Sequence, residues 1–374
     1  MSAGAKAASV STRQFFGKKA ETEEVFARLS GESQAALRQF TLERLLGYGL
    51  AYADVIELRA AVIEGANWQD AATSLAETAL ASAHQASIPT RIAYLRRASG
   101  LLRMSQVMML NDSDERCAIF ARAAALYGEA AKLAGDRAPV TIKAADGMLA
   151  GWLHPAIGTA HGSAIVIGGI EGWAMDFASQ GEALAARGVD ALMLDAPGQG
   201  ETRFQHHHYL SAAWPDAFKS VIDYLAQRAP DHGIAFIGNS MGGSFALATA
   251  AADPRIRACV DNGGAASPLE ARDKPSFFKK MMAACGTDDE EAAAAIWGSV
   301  DPITPHHGAD YLLLIVQGGA DPLVTTPAAT ALMAALPTQD AEMVVFSDGD
   351  HCIYNHRDDR DALIADWVRE RLTR

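Results

Sequence analysis

Basic residues are scarce in this 374-residue chain: 32 Lys and Arg stand against 45 Asp and Glu, a formal charge of −13. Nucleic acid or an anionic membrane as partner would need the opposite balance, so neither is expected. Cysteines number four, Cys117, Cys259, Cys285 and Cys352, with no CxxC spacing, which argues against a zinc knuckle and against a disulfide framework. No run of about 18 apolar residues occurs, so no segment qualifies as a membrane-spanning helix. Met1 to Glu24 is rich in Ala, Ser and Lys and has no apolar stretch of signal-peptide length, so the expected location is cytoplasmic. The pairs Gly168-Gly169 and Gly318-Gly319 lack the spacing and the lysine of a phosphate loop. What is present, 49% hydrophobic and 21% charged residues, is the composition of a globular protein with an ample core.

Two compositions meet near Gly135-Asp136-Arg137-Ala138-Pro139. Before that point, Ala76 to Ser87, Arg91 to Leu110 and Glu115 to Ala134 carry apolar residues at spacings of three and four, and Asn111 to Asp114 offers a turn with N-cap candidates. After it, short apolar strands alternate with helices, the pattern of a mostly parallel sheet. Strands are expected at Ser163 to Ile167, Asp190 to Leu194, Ile234 to Ile237, Ile256 to Val260, Tyr311 to Val316 and Glu342 to Phe346, after an opening hairpin joining Val140–Lys143 to Met148–Leu153. The reading is therefore of an all-helical N-terminal domain over 1–137 and an α/β domain over 138–374. Between about 265 and 305 the alternation breaks. Helices inserted there would lie over the carboxyl ends of the strands, as a lid.

Within that second part, the strand Ile234 to Ile237 runs into Gly238-Asn239-Ser240-Met241-Gly242, and an alanine-rich helix follows at once. A turn from strand to helix this tight strains the serine backbone and lifts its hydroxyl clear of the sheet, while the helix N-terminus aims free N–H groups at any oxyanion formed there. Ser240 is the candidate nucleophile. A serine hydroxyl is weak at neutral pH and needs a base, itself oriented by an acid. Asp321 follows the strand Tyr311 to Val316, and His351 follows Glu342 to Phe346, the chain order expected of an α/β hydrolase. Asp261, after Ile256 to Val260, is the competing acid; Asp348 and Asp350 read as turn-shaping neighbours of the histidine.

Oxyanion donors are expected from the N–H of Met241 and from the loop Gly168-Gly169-Ile170-Glu171, where Ile170 is the chosen donor and Gly169 permits close approach to a carbonyl. Glu171 is unexpected beside a developing oxyanion. It either faces solvent or serves the substrate, by holding a hydroxyl or assisting proton transfer. Asp195 to Thr202 has the Pro and Gly content of a tight bend and reads as scaffold. Further candidates for substrate contact are Cys352 beside His351, His208 of the run His206-His207-His208, and Tyr94, which shares a helix face with Arg97 and Met104. For Cys352 and Tyr94 the plainer alternative is core packing; for the histidines it is simple exposure. The only partner for a metal on His206 to His208 would be His306-His307, and no metal is expected.

Taken together, Gly168-Gly169-Ile170-Glu171, Asp195 to Gly200, Gly238 to Gly243 and Asp348-Gly349-Asp350-His351-Cys352, behind a long helical region, resemble the 2,6-dihydroxypseudooxynicotine hydrolases, which cleave carbon–carbon bonds. The wider group takes in fungal polyketide-shortening hydrolases and fermentation-respiration-switch-like proteins. The resemblance implies an α/β-hydrolase fold with a helical N-terminal cap, often homodimeric and without a cofactor. It puts Ser240, Asp321 and His351 on the family's triad, and Glu171 on the acidic residue that assists cleavage beside an aromatic ketone. The expected partner is a small-molecule carbonyl substrate. An ester, lactone or amide hydrolase, an acyltransferase or cyclase, and a hydrolase-shaped binding protein are the other readings.

Overall fold

The computed structural model describes residues 16–303, 311–338 and 340–373; His306 and His307 lie outside them. Among these residues eight strands form one sheet: β1 (Ala138–Lys143), β2 (Met148–His154), β3 (Gly162–Ile167), β4 (Val189–Asp195), β5 (Ile234–Asn239), β6 (Ile256–Asn262), β7 (Leu312–Gly318) and β8 (Ala341–Phe346). Their order is β1-β2-β4-β3-β5-β6-β7-β8. β1 and β2 pair antiparallel, β2 meets β4 antiparallel, and from β4 to β8 every pairing is parallel. Parallel strands buried on both faces read as continuous apolar runs, which is why β3 to β7 were visible in the sequence. After β3 the chain turns to β4 on one side and later returns to β5 on the other. The crevice beyond the carboxyl ends of β3 and β5 is thus the topological switch point where open α/β sheets bind ligands.

Among the described residues seven helices precede β1, the longest being Trp68–Ala83, Ile88–Ser105 and Asp114–Ala134. The first of these starts earlier than its apolar periodicity from Ala76 indicates, because the Asn67 carboxamide caps the amides of Gln69 and Asp70 at 2.8 and 3.3 Å. The last is capped by Ser113 and ends at Gly135 in the left-handed conformation (φ 66°). These helices share one apolar core with a face of the sheet, in which Phe40, Tyr48 and Phe120 pack with Trp173, Phe177 and Ile237. The other face is covered by Trp214–Arg228 and Met241–Ala252 and by the segment between β6 and β7. That segment holds a 3-10 turn (Pro268–Asp273) and helices at Pro275–Ala284 and Glu290–Gly298. Among the described residues, no helix is long and apolar enough to cross a membrane.

Polar bridges fix the N-terminal helices above the strand ends. Arg103 donates to Asp176 at 2.7 Å, both side chains being about 95% buried or more, and Asp176 also accepts the Trp173 amide at 2.9 Å. Arg103→Ala would strand a buried carboxylate, so it is expected to cost about 3–5 kcal/mol of unfolding free energy. Urea denaturation followed by circular dichroism checks this, and a loss under about 1 kcal/mol would mean the bridge does not hold the helices down.

Candidate active site

Ser240 adopts φ 56°, ψ −131° between β5 and the helix Met241–Ala252. The strand-to-helix turn closes so tightly that a Cβ on Gly238 would lie 2.0 Å from the Gly242 carbonyl oxygen, which explains the glycines around the serine. The Ser240 amide donates to the Asn262 carbonyl at 2.8 Å, tying the turn to the end of β6.

Its hydroxyl faces His351. Nε2 of His351 lies 2.8 Å from Ser240 Oγ, and Nδ1 lies 2.8 Å from Asp321 Oδ2. The other Asp321 oxygen accepts the amides of Leu323 and Val324 at 2.7 and 3.1 Å, so the carboxylate is oriented from both ends. Asp261, the competing acid, instead accepts the Gly264 amide at 2.7 Å, and burial pushes its carboxyl up to about 7. Burial opposes charge on the His351 ring as well. The Cys352 sulfur and the Asp321 carboxylate more than offset that and hold the imidazole above its ordinary value of 6.5.

The loop after β3 completes the constellation. A Cβ on Gly169 would sit 2.8 Å from Ser240 Cβ, so only glycine lets the loop come this close. Gln199 holds that loop, its Nε2 donating to the carbonyls of Gly168 and Gly169 at 2.9 and 2.8 Å. Asp195 accepts the Ala174 and Glu201 amides, each at 2.8 Å. Burial, aided by the neighbouring Glu201 carboxylate, pushes the Asp195 carboxyl up to about 7. The bend at Asp195 to Thr202 therefore buttresses the loop that carries Ile170. Among the described residues, the amides of Ile170 and Met241 donate to no backbone carbonyl.

Two cavities meet at His351. One, of about 270 Å³, is walled by Ser240, Met241, Ala265, Pro268 and Val324; the other, of about 320 Å³, by Gln39, Arg44, Lys280 and Tyr354. Phe277, Leu323 and His351 belong to both.

Several of the expected substrate contacts lie elsewhere. Cys352 is buried with φ 58° and its sulfur is 3.4 Å from the Asn262 carbonyl; it shapes the His351 loop and does not wall either cavity. His208 packs under the β1–β2 turn, Nδ1 at 3.2 Å from the Met148 carbonyl and Nε2 at 3.1 Å from Asp146. Tyr94 stands off both cavities with the Arg97 guanidinium 5.0 Å from its ring centre, and Arg97 pairs with Asp54. The tertiary packing of their helix and turn, invisible in local spacing, decides these positions. Glu171 is neither exposed nor free: Lys280 and Gln39 donate to its carboxylate and Arg44 lies 3.7 Å away. Residues that the motifs did not flag hold the site together. Asn262 donates to Asn239 at 2.8 Å and to the Cys352 carbonyl at 3.3 Å, and the fully buried Arg360 donates to that carbonyl at 2.8 Å.

A family model of the α/β-hydrolase fold matches residues 165–295. The crystal structure of 2,6-dihydroxy-pseudo-oxynicotine hydrolase aligns with a TM-score of 0.77 at 23% identity, over 89% of this chain and 96% of that one. The chain has the α/β-hydrolase fold. In sequence it is similar to 2,6-dihydropseudooxynicotine hydrolase of Paenarthrobacter nicotinovorans, 27% identical over 224 residues, 59% of this chain and 58% of that protein. It is also similar to the α/β hydrolase ucsC of an Acremonium species, 30% identical over 260 residues, 59% of this chain and 52% of the relative. The chain thus matches less than two thirds of the length of these curated relatives.

Gln199→Leu would leave the two buried carbonyls of the loop after β3 without their donor. The expected cost is on the order of 1–3 kcal/mol of stability, read by urea denaturation. An unchanged midpoint would mean that the loop is held by other contacts.

Proposed function

We propose that this protein is a serine hydrolase that cleaves a carbonyl compound through an acyl-enzyme on Ser240. The observation that carries the reading is the placement of one imidazole at 2.8 Å from both a strained serine hydroxyl and a buried carboxylate. Ser240 Oγ attacks the substrate carbonyl carbon as His351 Nε2 takes its proton. The amides of Ile170 and Met241 receive the charge on the carbonyl oxygen, where each such donor is worth about 10²–10³ in rate. When the tetrahedral intermediate collapses, the bond to the leaving fragment breaks and that fragment takes the proton from His351. Water, deprotonated by the same imidazole, then releases the acid. Asp321 keeps the ring in the tautomer that can do both. Written this way, the reaction calls for no redox partner or cofactor.

Within this class we favour a carbon–carbon bond beside a ketone. The likeness to a protein named as a 2,6-dihydropseudooxynicotine hydrolase supports this, as does an acidic residue directly after the loop donor Ile170. A bare carboxylate there would oppose the oxyanion. Lys280 and Arg44 balance Glu171, so it can remain beside the site without that cost. Ester cleavage is the second reading, favoured by the same neutralised carboxylate: with its oxygens held by Lys280 and Gln39, Glu171 is not poised to move a proton.

A fluorophosphonate probe is expected to label wild-type protein at Ser240, and Ser240→Ala to lose both labelling and at least about 10⁴-fold of turnover. Peptide mapping of the adduct decides it; a label elsewhere, or none, ends the serine reading. The base must be neutral to act, so the labelling rate should rise with pH through a midpoint above the ordinary imidazole value, since His351 is held high. Asp321→Asn removes a group that favours the imidazolium and should move that midpoint down; a midpoint that stays put would contradict the assignment. Glu171→Gln separates the two bond types. Loss of ketone cleavage with activated esters spared supports carbon–carbon chemistry, whereas equal effects on both count against it.

A further inference from the structure

The loop carrying Ile170 and the loop carrying His351 grow from strands that do not touch. β3 and β8 stand three strands apart in the sheet. Both loops must nonetheless converge on Ser240, where a displacement of about 1 Å can lower the rate on the order of 10²-fold. The sheet fixes the strand ends, but a loop that runs beyond its strand needs a hold of its own.

Gln199 supplies that hold for the first half of the loop after β3, donating to the Gly168 and Gly169 carbonyls. A trans peptide is planar, so the Gly169 carbonyl and the Ile170 N–H point in opposite directions, and fixing the one aims the other. The second half of the loop ends at Gly172, in the left-handed region at φ 85°. Here the hold comes from the N-terminal helices. The Tyr48 hydroxyl donates to the Glu171 carbonyl at 3.0 Å, and a Cβ on Gly172 would lie 2.4 Å from that hydroxyl.

The same phenol reaches the histidine loop. Tyr354, three residues past His351, donates its hydroxyl to the Tyr48 oxygen at 3.3 Å, and the two rings meet edge to face with centres 5.2 Å apart. Next to Tyr48, a Cβ on Gly47 would come 2.4 Å from Tyr354 Cδ1, and the Leu46 carbonyl accepts Arg357 at 2.8 Å. Arg44, one turn back in the helix Leu42–Gly47, donates its Nε to the Tyr48 oxygen at 2.9 Å. The buried hydroxyl therefore accepts two hydrogen bonds and donates one, which is its full capacity and leaves it a single orientation.

We propose that Tyr48 is a positioning residue: through this phenol the N-terminal helices set the oxyanion loop against the histidine loop. The role rests on Ser240 as nucleophile, as argued above, and Tyr48 acts through other groups, since it walls neither cavity at His351. Without the hydroxyl, the triad stays in line, but the Glu171–Gly172 peptide can turn at the glycine and the Ile170 donor loses its aim.

Tyr48→Phe removes the hydroxyl and keeps the ring against Phe177 and Tyr354. Labelling by an alkyl fluorophosphonate over a range of concentrations gives a maximal rate, the concentration for half of it, and a pH midpoint. The maximal rate is expected to fall at least about tenfold, part of the 10²–10³ that a lost oxyanion donor costs. The half-saturating concentration should stay within about twofold. The midpoint should not move, because the His351–Asp321 pair is untouched. These are constants of the folded molecules, so a loss of stability alone shifts none of them. Should Tyr48→Phe fail to fold, Tyr354→Phe carries the test. It removes the 3.3 Å donor to Tyr48, and the same maximal rate is then expected to fall about threefold. An unchanged maximal rate, a change confined to half-saturation, or a shifted midpoint overturns the positioning role. If wild type labels at Ser240 and the variant labels equally fast, only this inference is lost; wild type that does not label there ends the serine reading and this role with it.

Discussion

A residue with a side chain held at φ 56°, ψ −131° costs on the order of 1–3 kcal/mol, and the site depends on Ser240 staying there. Relaxed backbone would drop the hydroxyl toward the sheet and out of line with His351. The restraint comes from both neighbouring strands. Asn262 at the end of β6 accepts the Ser240 amide, and the loop after β3 presses Gly169 against the serine Cβ. Neither contact would survive a register slip of one residue, which would turn every side chain of a strand to the opposite face. The serine is therefore poised by the whole parallel sheet, whose two buried faces make such a slip prohibitive.

The same economy runs through the partners of Ser240. His351 sits in a loop where Cys352 and Ile353 both have positive φ, which is costly outside glycine. Two donors meet at the carbonyl that this conformation exposes, Asn262 from the sheet and Arg360 from the C-terminal helix. Asn262 also donates to Asn239, which in turn donates to the Ile167 carbonyl at 3.2 Å. One chain of side-chain amides thus links the loops after β3, β5, β6 and β8. A strained loop persists only where its surroundings over-determine it, and that chain is the means here.

This division explains what could be read from the sequence. Glycines packed around a serine, strands of continuous apolar residues, and a helix stop at Gly135 are local signals, since each is dictated by the backbone geometry of its own few residues. Ser240, Asp321 and His351 were legible because each follows a strand by a short turn. Gln199, Asn262 and Arg360 were not, because their partners lie 31, 90 and 8 residues away and no periodicity marks them. Tyr94 and His208 show the converse. Helix spacing placed Tyr94 on a face with Arg97 and Met104, but spacing does not say what that face meets. Met104 is buried with its carbonyl accepting the Trp68 indole at 2.8 Å, so the face is used for packing among helices.

Glu171 links the helical region to the chemistry. Its carboxylate is gripped by Gln39 at the end of an N-terminal helix and by Lys280 on the inserted helix, while its own carbonyl accepts the Tyr48 hydroxyl at 3.0 Å. Burial pushes the Tyr48 phenol up to about 12, so that hydroxyl keeps its proton and remains a donor. Two covering elements far apart in the sequence therefore converge on the residue next to Ile170. Both contacts reach the residue that follows Ile170, the proposed oxyanion donor, so the loop after β3 is held from two sides as well as from Gln199 below. The same two covers bring the cations that make a carboxylate tolerable at a position where its charge alone would be a liability: Lys280 pairs with Glu171 and Arg44 lies 3.7 Å from it.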